Sequence, residues 1–289
     1  MDSVLVLIAA PGSGAITDRI VARLRALGAD GVRWLAPGDA LEVPAFSRLS
    51  EFLAEIRSQP IDFAVVSTEN RRKRLLVADM DSTMIHQECI DELGVAAGVG
   101  DEIKAITVRA MRGELDFDGA LRARVALLKG LEEKVIQRLL AERITFMPGG
   151  TTLLATMKAF GAHTALISGG FRQFTRPVAR ALGFDEEQAN ELEIRKGHLT
   201  GEVIPPILGS AAKLHGLKRL AAGLGLEMED TIAVGDGAND VAMLAEAGIG
   251  VALHAKPHVQ ESTLIRINHG DLTALLHLQG YARHEFRDS

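Results

Sequence analysis

Cysteine is nearly missing from this chain. Cys89 stands alone among 289 residues and cannot form an intramolecular disulfide, which suits a reducing, cytoplasmic setting and a buried thiol. Long apolar runs are missing too. The run from Val4 to Ala10 is too short to cross a bilayer, follows no basic segment and meets Pro11 and Gly12 at once, so it reads as a strand and no membrane partner is expected. Positive charge is also in deficit: 32 Lys and Arg against 38 Asp and Glu give a formal net charge of -6. Without a basic face the chain is expected to bind no nucleic acid, and any phosphate it binds is small. What is present, 47% hydrophobic and 24% charged residues, is the composition of a globular protein longer than one ordinary domain.

The pattern up to residue 70 runs strand (4–9), amphipathic helix (16–27), two short strands (31–35 and 40–43), helix (46–57) and strand (61–67). Ile16, Ile20, Leu24 and Leu27 fall on one helical face. This β-α-β-β-α-β order resembles a ferredoxin-like or ACT-like module, a small α+β domain of the kind that senses amino acids, though no residue in it nominates a ligand. Arg71, Arg72, Lys73 and Arg74 follow and read as a solvated linker.

From Leu75 the pattern changes. Apolar strands at 75–80, 164–168, 231–235 and 249–253 alternate with helical patterns at 153–160, 171–182, 211–224 and 241–247, which predicts α/β architecture: a doubly wound, Rossmann-like parallel sheet. About 80 residues of mostly helical pattern between the first two strands are too many for a loop and predict an inserted helical cap at about 86–147. Residues 191–203 alternate around Lys196-Gly197 and predict a hairpin. Two domains follow, 1–70 and 71–289.

Three strand ends carry chemistry. Asp79-Met80-Asp81-Ser82-Thr83 follows Leu75-Leu76-Val77-Ala78, and two carboxylates so close at a strand tip repel unless a cation holds them ionised; a turn or helix cap is the alternative for an isolated Asp. Gly235-Asp236-Gly237-Ala238-Asn239-Asp240 repeats the arrangement on a second strand, and the combined acids would form an all-oxygen nest suited to Mg²⁺. Asp240 stands where the third glycine of a dinucleotide fingerprint would be. Ser168-Gly169-Gly170 would turn backbone N–H groups towards an anion; Ser168 could equally cap a helix, and no nucleophile elbow surrounds it. Lys213, near a helix start, says nothing by itself. His254 and His258 are separated by Pro257 and read as loop residues rather than a metal-binding face, and His86 reads as structural.

In order, Asp79 to Thr83, Ser168 to Gly170, Lys213 and Gly235 to Asp240 resemble the four motifs of the haloacid dehalogenase-like phosphohydrolases. The resemblance spans residue 74 to the end. It sharpens towards the branch acting on O-phospho-L-serine through residues 79–92, Met111-Arg112-Gly113 and residues 121–128. It implies Asp79 as nucleophile, Asp81 as general acid and then base, and Mg²⁺ on Asp79, the Asp81 carbonyl and Asp236, with Asp240 supporting from behind. It further implies Lys213, Ser168, Gly169 and Asn239 on the phosphoryl group, and Glu88 and Arg124 on the ammonium and carboxylate of a small amino-acid ester. Without the resemblance, Glu88, Arg122 and Arg124 read as solvated, and Met111 and Phe117 as helix packing. Two rivals remain: a receiver that holds a phosphoryl group on Asp79, and a phosphotransferase that passes it to another alcohol. A homodimer and an amino-acid effector at the N-terminal module are further expectations.

Overall fold

The computed structural model describes residues 3–209 and 211–288; Ser210 and the side chain of Met111 lie outside the described residues. The first unit is β1 (Ser3–Ala9), α1 (Asp18–Ala26), β2 (Arg33–Ala36), β3 (Ala40–Pro44), α2 (Leu49–Ile56) and β4 (Ile61–Ser67), with sheet order β2-β3-β1-β4 and all pairs antiparallel. From Val4 to Ala9 β1 is apolar at every position because both sheet faces are covered. Leu5 and Leu7 pack with Ile20, Leu24, Phe52 and Ile56 under the helices. Val4, Val6 and Ile8 belong instead to the core that continues into the rest of the chain.

That continuation runs through a polar seam. Asp62 on β4 accepts from the backbone N–H groups of Asn268, His269 and Gly270 at 2.8, 2.9 and 2.8 Å. The expected solvated linker is part of the same seam. Arg72 and Arg74 are exposed as expected, Arg72 lying 4.0 Å over the Tyr281 ring, but Arg71 is half-buried on Glu42 and donates to the Leu278 carbonyl at 2.7 Å, and Lys73 is buried on the carbonyls of Asn70 and Glu229. Desolvation explains why the sequence misleads for these two: Arg71 and Lys73 are covered because carbonyls replace water.

The second unit comprises β5 (Leu75–Ala78), α3 (Cys89–Ala97), α4 (Gly100–Met111), α5 (Phe117–Ala126), α6 (Lys134–Glu142), α7 (Gly150–Ala159), β6 (His163–Phe171), α8 (Arg172–Leu182), β7 (Glu186–Arg195), β8 (His198–Ile204), α9 (Ala212–Gly223), β9 (Thr231–Gly235), α10 (Val241–Glu246), β10 (Ile249–Leu253), α11 (Pro257–Ser262), β11 (Ile265–Ile267) and α12 (Ala274–Leu278). The seven strands lie in the order β11-β10-β9-β5-β6-β7-β8, all parallel except the last pair. Alternation along β5 sends Leu75 and Val77 to α9 and α10, and Leu76 and Ala78 to the opposite face. The predicted hairpin, β7 and β8, is the edge of this sheet. It carries the insertion, since the Gly130 N–H donates to the Leu199 carbonyl at 2.8 Å and the Leu199 N–H to the Leu131 carbonyl at 2.9 Å. Helices α3 to α6 leave and rejoin the sheet where Ile85 bridges Phe146, so entry and exit of the cap are clamped side by side.

Candidate active site

The chain leaves β5 for β6 on one side and later fills β9 on the other, which opens a crevice at the carboxyl ends of three adjacent strands. Asp79 is at the first tip, Ser168 and Gly169 at the second and Asp236 at the third. All of them line one cavity of about 450 Å³ whose roof is the cap. The Asp79 N–H donates to the Val234 carbonyl at 3.0 Å, extending the β5–β9 ladder to the residue itself.

Lys213, silent in the sequence, is the buried centre of this floor. Its Nζ lies 2.7 Å from Asp79 Oδ1 and 2.5 Å from Asp240 Oδ1. Helix α9 reaches that depth because Gly216 faces Ile167, where a Cβ would stand 2.4 Å from Ile167 Cδ1. Burial alone would lower the Lys213 pKa; Asp240 and Asp79 override it and push it up. Burial also pushes Asp79 up, with Asp240 and Asp236 adding to it and Lys213 opposing. The other oxygen of Asp240 accepts from the N–H groups of Asp236 at 3.2 Å and Gly237 at 2.9 Å. A Cβ on Gly235 would meet Asp240 Cγ at 2.3 Å, so that turn closes only around glycine.

Among the described residues, the acids that could share a metal ion are Asp79, Asp236 and Asp240, with donor oxygens all within 4.8 Å of one another. Carboxylates without sulfur or imidazole are the donor set of a hard divalent cation. Asp79 and Asp236 line the cavity, whereas Asp240 lies behind them with both oxygens held by Lys213 and by the Asp236 and Gly237 N–H groups. The Asp81 carboxylate is outside the cluster: its Oδ1 accepts from the Cys89 N–H at 3.1 Å. Burial first, and the Glu88 charge next, push Asp81 up to about 7. The thiol of Cys89 is buried beside it.

Ser168 caps no helix. It and both glycines lie within β6, helix α8 begins at Arg172, and Ser168 Oγ accepts from the Gly170 N–H at 2.9 Å. Gly170 faces Asp81, where a Cβ would stand 2.9 Å from Oδ2, and Gly169 faces the Phe117 ring. Buried Asn190 holds the Gly169 carbonyl at 2.9 Å, orienting its peptide; an Asn inside an otherwise alternating strand was the signal for it.

Across the cavity, Glu88 precedes α3, a helix hidden from the sequence reading, and its Oε1 accepts from Ser82 Oγ at 3.0 Å. Arg124 also faces the cavity, anchored on the Ala120 carbonyl at 3.2 Å, while Arg122 is exposed. Phe117, Ile90, Thr107, Leu115 and Asn239 complete the wall with Lys256, which the sequence reading missed although a lysine directly before Pro257 ends the β10 segment. His86, His254 and His258 are exposed; His258 is in α11, not a loop, because Pro257 occupies the first helical position, where no N–H is needed.

An acid-floored, lidded crevice at the switch point of a parallel sheet is where α/β enzymes bind and transform their ligands. Residues 76–245 match the family model described as haloacid dehalogenase-like hydrolase. The chain belongs to that family. A phosphoserine phosphatase of Streptomyces coelicolor is 42% identical over 275 residues, 94% of this chain, and the match spans 66% of that relative, just under two thirds of its length. One from Haemophilus influenzae is 40% identical over 84% of this chain and 78% of its own. A solved HAD family hydrolase from Salmonella enterica subsp. enterica serovar Typhi superposes with a TM-score of 0.85 at 32% identity, covering 96% of this chain and 98% of that one. Family and cap together set the receiver reading aside.

Proposed function

We propose that the chain is a Mg²⁺-dependent phosphatase that hydrolyses O-phospho-L-serine to L-serine and phosphate, the last step of serine synthesis. The observation that carries this reading is one cavity lined by Asp79 and Asp236, with Lys213 buried on Asp79 beneath it, and by Glu88 and Arg124. The first set suits a phosphoryl group and the second a zwitterion.

In this reading an Asp79 oxygen attacks phosphorus, an aspartyl-phosphate forms, and the serine oxygen leaves with the proton of Asp81. Asp81 then takes a proton from water as it attacks the acyl-phosphate, which returns Asp79 and releases phosphate. A carboxyl pushed up to about 7 can act as acid and as base near neutrality. Mg²⁺ would be held by Asp79, Asp236 and the Asp81 carbonyl, supported by Asp240, and supplies positive charge against the phosphoryl oxygens. Lys213 lowers the repulsion between a carboxylate and a phosphate, Ser168 and the Gly169 N–H bind phosphoryl oxygens, and Asn239 steadies the group from the third strand. Glu88 takes the ammonium and Arg124 the carboxylate, and Phe117 excludes water.

Acid quenching with radiolabelled phosphoserine tests the mechanism: label is expected on Asp79 in the wild type and none in a folded Asp79→Asn variant. Label elsewhere would sink it. Added alcohols separate hydrolysis from phosphotransfer, since a transferase would yield a new phosphate ester.

Residues 1–70 enter the same reading as a docked domain with a regulatory part, binding an amino-acid effector or joining two copies into a homodimer. Titrating the intact chain with L-serine while following its mass by light scattering checks this; no binding site beyond the active one and a constant monomer would end it. A reducing, cytoplasmic setting accompanies the reading, since Cys89 is free and buried.

A further inference from the structure

Lys256 has no role in the chemistry above, yet it lines the same cavity and its ammonium lies close to both Asp236 and Glu88. Its backbone is fixed: the Lys256 N–H donates to the Asp236 carbonyl at 3.2 Å, and its carbonyl accepts from Val259 and Gln260 at the start of α11. One residue earlier, the Gln260 side chain holds the Ala255 carbonyl at 2.7 Å. His254, with φ at 45°, donates its N–H to the Ile267 carbonyl at 2.8 Å. From that base the four-carbon side chain brings its Nζ to 3.4 Å from Asp236 Oδ2 and 3.7 Å from Glu88 Oε1.

The choice of oxygen matters. Ser82 Oγ donates to Glu88 Oε1, and Lys256 Nζ comes nearest to that same oxygen; among the described residues no hydrogen bond reaches Oε2. Glu88 is on the cap side and is partly exposed, so alone its carboxylate would sample several rotamers. With one oxygen held from the sheet side, the other is presented to the cavity. A cationic donor in the substrate then meets an acceptor already turned towards it, without the entropy of ordering that side chain.

Resting on the phosphoserine reading, we infer that Lys256 is a positioning residue for amino-group recognition, tying Glu88 to Asp236 so that Glu88 Oε2 faces the ammonium of the substrate. Lys256 thereby links a residue that handles the phosphoryl end to one that selects the amino acid, although it belongs to neither group.

Product inhibition separates this from a general electrostatic effect, because L-serine carries the ammonium and inorganic phosphate does not. In Lys256→Met the inhibition constant of L-serine is expected to rise about threefold to fivefold, the range of a half-exposed ion pair, with a matching rise in KM for phosphoserine and a smaller change for phosphate. Lys256→Arg should recover most of the loss. Weakening of phosphate alone, equal weakening of both products, or no change in either would overturn the assignment. A wild-type protein that neither hydrolyses phosphoserine nor is inhibited by serine would defeat the parent reading first, and that failure is seen without any variant.

Discussion

At Lys213 one buried ammonium serves two buried carboxylates, Asp240 fully enclosed and Asp79 at the cavity wall. Removing one partner of a buried ion pair is worse than never having it, because the remaining charge stays desolvated. Lys213→Met is therefore expected to cost about 3 kcal/mol in urea unfolding without added metal ion. A wild-type midpoint would contradict the central place given to this residue. The same example marks a limit of sequence reading. Asp79, Asp81, Asp236 and the glycines around them were legible because paired acids and glycines directly after apolar runs point to strand tips, with a turn or helix cap as the alternative for an isolated Asp. Lys213 was not, because its meaning depends on two partners brought to it by the sheet. Without the family motif it is one more lysine, and Lys256, outside any motif, went unread.

Among the elements, strands were legible where both faces are buried, as in β1, β5 and β9, whose apolar runs have no competing pattern. Short or mixed elements were not. Helix α3 begins with Cys89-Ile90-Asp91-Glu92 and contains Gly94, so its periodicity is weak, and Gly94 is there because a Cβ would stand 2.7 Å from Ile103 Cδ1 of α4. Helix α12 is apolar apart from His277 and too short to show a period. That histidine is buried, and burial lowers its pKa below the ordinary 6.5 while Nδ1 stays 3.1 Å from the Tyr281 carbonyl. The folded state resists protonation and the unfolded chain does not, so the unfolded state binds more protons as pH falls through 6.5. Stability contributed by neutral His277 is complete above that pH and is lost below it. Urea midpoints at several pH values, wild type against His277→Gln, are expected to converge as the solution is acidified from neutrality; parallel curves would count against it.

For the molecule as a whole, the seam between the small sheet and the large one decides whether the first 70 residues act as a tethered module or as part of the body. Continuous apolar packing through Val4, Val6 and Ile8, with Asp62 serving three N–H groups, favours one cooperative unit. Asp62→Ala strands those donors and is expected to lower stability by about 3 kcal/mol, with the single thermal transition splitting in two. One transition at the wild-type temperature would show that the clamp holds nothing. The ferredoxin-like order of the small unit could be read from its pattern, whereas the seam could not, since its cations look solvated until carbonyls more than 150 residues away are in place. The account of the whole protein stands or falls on phosphate release from O-phospho-L-serine, with and without Mg²⁺, beside phosphothreonine, sugar phosphates and nucleotides. It predicts release that needs the metal ion and strongly favours phosphoserine. Metal-dependent release from the other esters but not from phosphoserine would contradict the recognition assigned to Glu88 and Arg124, and no release from any of them would contradict the catalytic floor itself.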